Sequence, residues 1–151
     1  MDEIIDAIQN ELATKVNDLK HVDENWGQLD LFGNECPVQW PCALIMISSG
    51  AFSNLGTDVM AKPINRQEAA MAFEITFADL KLTNSSFNAP ILQKQKSRSI
   101  WKIIKKSHEN LQGFSPILGS GKMIRTALSS VRRDDGVQEI RVIYSFGLHN
   151  C

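Results

Sequence analysis

The strongest constraint on the fold comes from residues 122–146, where two strand-like runs flank Arg133-Asp134-Asp135-Gly136. Asp-Gly between such runs is a strong hairpin signal, because glycine takes the positive φ of a tight turn and aspartate tolerates the left-handed region. On the return run Ile140, Val142, Tyr144 and Phe146 share one face, while Glu139, Arg141 and Ser145 share the other with Ile143. A hairpin with one apolar face is marginal alone. Further strands or helices must cover it.

The 151 residues suffice for one domain that buries roughly 68–70% of its unfolded surface in a single core. Hydrophobic residues at 43% and charged residues at 22% exclude wholesale disorder. A formal net charge of -1 leaves no global field to draw in nucleic acid or an anionic membrane, only local patches. Cys36, Cys42 and Cys151 are odd in number and lack C-x-x-C spacing, so a reduced chain assembled in the cytosol is expected. No apolar run reaches about 18 residues, and the opening Met1-Asp2-Glu3 is acidic where a signal peptide is basic. Neither a membrane span nor a secretory route is expected.

Along the chain, Ile4, Ile5, Ile8, Leu12, Val16 and Leu19 recur at helical spacing and predict a helix over 2–20. Residues 21–39 read as a connecting loop pinned by Trp26, Leu29, Leu31 and Phe32. The apolar run 42–47, bounded by Pro41 and Ser48-Ser49-Gly50, reads as a strand covered on both faces. Residues 48–67 read as a long loop, part of which can extend that strand as an arm. Phe52 and Leu55 there either meet a neighbouring subunit or tuck back onto their own core. Residues 68–80 alternate, with Met71, Phe73, Ile75 and Phe77 on one face, and predict a second strand. After a loop at 79–90, a second helix is expected from about 97 to 112. Its inner stripe is Ile100, Trp101, Ile104, His108 and Leu111, and Gly113 follows its end. Its other face, with Lys94, Lys96, Arg98, Lys102, Lys105 and Lys106, reads as either a solvated helix surface or a phosphate-contacting patch. The result is an α+β two-layer sandwich, in which two helices flank a four-stranded, mostly antiparallel or mixed sheet ending in a C-terminal hairpin.

Catalytic chemistry finds no constellation. His21, His108 and His149 fall on a loop, a helix and the tail without metal-ligand spacing. Cys36 and Cys42 lack the basic neighbour that activates a thiol. Gly119-Ser120-Gly121-Lys122 matches the end of a phosphate loop, but a strand follows it where a helix is required. No catalytic residue, metal or cofactor is expected.

Several local strings come in a telling order: a strand led by Pro41 and continuing toward Phe52 and Gly56, then Gln67-Glu68 entering an alternating strand. A helix ending Leu111-Gln112-Gly113-Phe114 follows, then a strand with Arg125, the turn Arg132-Arg133-Asp134-Asp135-Gly136 and a final strand with Tyr144. In this the chain resembles the tail terminator, or tail completion, proteins of long-tailed bacteriophages, including Mu-like and prophage-encoded tails. The resemblance implies a virion structural protein that forms a ring, expected to be a hexamer, at the tail–neck junction after synthesis in the host cytoplasm. Its implied partners are itself, the tail tube protein and the head-completion or connector protein, with DNA passing through the ring and no membrane. The expected interface residues are Phe52 and Leu55 on the arm, and Arg132, Arg133, Asp134 and Asp135 at the charged turn. The long segment 48–67 departs from the family pattern. The rival readings are another neck or head–tail joining protein and a small nucleic-acid-binding module using helix 97–112.

Overall fold

The computed structural model describes residues 1–31, 36–53 and 67–149. In chain order these form α1 (Asp2–Lys15), β1 (His21–Glu24), a 3₁₀ turn (Gln28–Asp30), β2 (Cys42–Phe52), β3 (Glu68–Leu80), α2 (Ile91–Ser97), α3 (Ser99–Leu111), β4 (Ile124–Val131) and β5 (Val137–His149). One mixed sheet runs in the order β1-β2-β3-β5-β4, antiparallel except for the parallel β1–β2 pair. The fold is α+β with helices against the sheet, as expected, but with five strands instead of four and three helices instead of two.

Each difference has a local cause. β1 falls in the stretch read as a loop, because a four-residue edge strand with Val22 as its lone aliphatic residue shows no readable alternation. Expected to reach residue 20, α1 ends at Lys15. The apolar rhythm outlives it because Val16 is fully buried and Leu19 packs against the same core after the chain has turned. A break at Arg98, where φ is -107° and ψ 13°, separates α3 from α2. Trp101, placed by helical spacing on the inner stripe, lies 45% exposed, while Ile103 and Ser107 are buried in its stead. β2 continues to Phe52, past the expected end at 47, so the first residues of the presumed loop 48–67 are strand. The hairpin forms as read, with Gly136 at φ +78°. Its first strand begins at Ile124 and runs on to Val131, and its second continues past Phe146 to His149.

The strand period of two sorts the sheet into two faces. On one, Ala69, Met71, Phe73, Ile75 and Phe77 of β3 and alternate β5 residues from Ile140 to Leu148 meet α1 and α3 in the main core, where Phe73 stacks on Phe146 with ring centroids 5.4 Å apart. On the other, Leu29 and Val38 cover Cys42, Leu44 and Ala78. That second cover reaches only the hairpin end of the sheet. Towards the opposite end the same face carries Ser49, Ala51, Ala70, Ala72, Ser145 and Gly147, with no helix over them among the described residues.

Candidate assembly interfaces

Among the described residues, two strand edges lack a partner. β4, the outer strand on one side, pairs with β5 alone. On the opposite side β1 covers β2 at residues 42–45, which leaves 46–52 unpaired along the outer edge. Because β2 and β4 run in opposite directions, both open edges extend to the same end of the sheet. Each carries a β-bulge, between Ile47 and Ser49 in β2 and between Arg125 and Ala127 in β4. Ile124 and Leu128 of β4, and Met46, Ile47 and Phe52 of β2, are exposed large hydrophobic residues. Unpaired edges of this length, with apolar residues along them, are templates for pairing with another chain.

Phe52, an expected interface residue, ends β2 at 54% exposure, on the helix side opposite Ala69. Leu55 lies outside the described residues. Gly50 precedes Phe52 in a crowded position, where an added Cβ would stand 2.8 Å from the Met71 Sδ.

The charged turn divides into two parts. Arg132 and Asp134 are exposed and, among the described residues, make no ion pair. Arg133 instead folds inward with a side chain 12% exposed. It donates from Nη2 to the Leu29 carbonyl at 2.6 Å and to Asp135 Oδ2 at 2.8 Å, and from Nη1 to Glu139 Oε2 at 2.9 Å. Arg141 donates from Nε to Glu139 Oε1 at 2.8 Å and lies 3.7 Å from Glu74. This explains how Glu139, expected on the polar face, can be only 3% exposed: two guanidiniums compensate its charge. Asp135 also accepts the Val137 backbone N–H, and its carboxyl is held below the usual range chiefly by the Arg133 hydrogen bond. Arg133 is thus a clamp tying the 3₁₀ turn to the hairpin. Sequence reading grouped it with its neighbours because a surface arginine and a clamping one share the same local string.

The cationic helix surface is partly neutralised. Lys106 pairs with Asp18, and Lys105 lies 4.0 Å from Glu109, while Lys94 donates to the Phe87 carbonyl. Between α3 and the hairpin lies a cleft of about 280 Å³, lined by Trp101, Lys81, Ser130, Arg132, Gln138 and Ile140 among others. Sequence reading missed it, since Lys81, Trp101 and Arg132 come from three separate elements. Deeper in, the His108 Nδ1 and the Tyr144 hydroxyl share a hydrogen bond of 3.1 Å. Burial, helped by the nearby Arg125 charge, lowers the His108 pKa, and burial pushes Tyr144 up to about 12. Cys42 is fully buried, its thiol likewise pushed up to about 12 by burial, so it is no nucleophile at neutral pH. Among the described residues no group of His, Cys, Asp and Glu is placed to hold a metal ion, and no helix is long and apolar enough to cross a membrane.

No family model matches the chain, and no curated protein matches it either.

Proposed function

We propose that this chain is a phage or prophage virion structural protein of the tail-terminator kind, which caps the tail tube as a ring and joins it to the head connector. The observation that carries this reading is the pair of open edges, on opposite sides of one sheet, reaching the same end and running in opposite directions. Rotating one copy onto the next about an axis along the strands brings β4 of one beside residues 46–52 of the other as an antiparallel pair. Such a heterologous contact uses two different patches and repeats until the ring closes. The helices then lie on the outside. The face without a helix over it among the described residues lines the passage, its Ala, Ser and Gly flanked by the Glu68–His149 and Glu74–Arg141 pairs. The resemblance in the order of sequence strings supports the same reading, with a hexamer as the expected closure.

The test is light scattering across a concentration series, with negative-stain imaging of the concentrated sample. Ring-shaped particles are expected for the unaltered protein, while Ile124→Lys with Leu128→Lys keeps the melting temperature and abolishes the rings. A protein that stays monomeric at every concentration and does not bind tail tubes would reject the reading. A neck protein of another kind would form rings yet bind the connector without stopping tube growth. A nucleic-acid module would be retained on heparin through α2 and α3 in a salt-dependent way, a property the Lys105 and Lys106 ion pairs oppose.

A further inference from the structure

The edge-to-edge ring has a definite register, which follows from the two bulges. On β2, Ile47, Gly50 and Phe52 stand on the helix side, opposite Phe73, Met71 and Ala69, with the bulge between Ile47 and Ser49. On β4, Arg125, Leu128 and Ser130 stand on that side, opposite Tyr144, Val142 and Ile140, with the bulge between Arg125 and Ala127. The longest antiparallel pairing that keeps helix side against helix side sets Phe52 against Arg125, Gly50 against Leu128, Ile47 against Ser130 and Met46 against Val131. The next β4-side residue, Arg132, then arrives at Ile45. That position is already taken on β2, because Ile45 pairs with Glu24, the last residue of β1.

We propose that Arg132 of one copy forms the inter-subunit ion pair of this ring with Glu24 of the next, and that Trp26 beside it docks at the cleft walled by Trp101. The proposal rests on the ring reading and makes it specific. Three further observations support it. Val22 packs into the helix-side core, so Glu24, two residues on, takes that side of β1; Arg132, two residues after Ser130, takes the same side of β4. The charges are complementary and uncommitted: among the described residues neither Glu24, Arg132 nor Lys81 has an ion-pair partner, and Lys81 lines the same cleft. Trp26 is 61% exposed on the β1 flank while Trp101 is half exposed on the β4 flank, so each flank presents an indole to the other.

The experiment compares the unaltered protein with Arg132→Glu, Glu24→Lys and the double variant, reading assembly against concentration by sedimentation and fold by circular dichroism melting. Both side chains are exposed in the monomer, so the melting curves are expected to coincide. Each single variant is expected to raise the half-assembly concentration about tenfold or more, and the double variant to return it to within about threefold of the unaltered value. Trp26→Ala is expected to weaken assembly without restoring either single variant. Singles that assemble like the unaltered protein, or a double variant that recovers nothing, overturn the contact and leave the ring standing. If the unaltered protein itself never assembles, the ring reading falls and the contact falls with it.

Discussion

Arg133 illustrates how one side chain is spoken for by the fold before any partner arrives. With Leu29, Asp30, Asp135 and Glu139 bound to one guanidinium, its removal leaves Glu139 buried beside Arg141 alone. Arg133→Ala is expected to destabilise the chain by about 2 kcal/mol, below the 3–5 of a fully orphaned buried charge because Arg141 remains. Thermal melting checks this. Asp135 adds a pH dependence. Its folded-state pKa is depressed by Arg133, so the stability it contributes is fully present above the ordinary carboxylate pKa of about 4 and is lost as pH falls through the folded value. Asp135→Asn is therefore expected to melt lower than the unaltered protein at pH 7, with the gap narrowing as the pH falls below the ordinary carboxylate pKa of about 4. The lowered His108 pKa has the same sign. Stability present above about pH 6.5 is lost as the pH falls below it, and His108→Gln should flatten that part of the melting profile. At Gly136, where φ is +78°, valine costs on the order of 1–2 kcal/mol in backbone strain. An unchanged melting temperature for Gly136→Val would count against the turn.

At the scale of elements, β3 and β5 were readable because each buries one full face against helices, and a period of two survives in the residues. β1 was not readable. Its place comes from the Pro41 carbonyl accepting the Lys20 N–H and from register with β2, neither of which leaves a local trace. The helix break at Arg98 was equally hidden: α2 exposes Ile91 and Leu92, so it has no apolar stripe facing the core. β4 is the element whose sequence is most misleading. It reads as one half of a hairpin, yet nearly all of it is exposed, and among the described residues its outer edge has no neighbour within one copy. Lysines at Ile124 and Leu128 act at this level, leaving the hairpin intact while blocking any strand that would pair with it.

For the molecule as a whole, the candidate site is not a pocket but an arrangement of edges. None of it was legible as a unit. Phe52 and Arg132 were singled out from the residues and the family likeness, whereas Glu24 and Lys81 carried no signal and Trp26 was read as pinning a loop although it lies 61% exposed, since what selects them is their position across a sheet about 100 residues apart in sequence at the widest. If Arg132 and Glu24 pair between copies, assembly should weaken as salt rises, with a half-assembly concentration several-fold higher at 1 M than at 0.1 M salt.

Hydrophobic period, turn chemistry and composition sufficed for the α+β class, the two long central strands, the hairpin and its Asp-Gly turn, because each is enforced by interactions within a few residues or by burial of a whole face. Which edges stay open, which arginine turns inward and which charges remain unpaired were settled only when strands far apart in the chain came side by side. Those properties depend on neighbours in space, and a linear string of residues does not contain them.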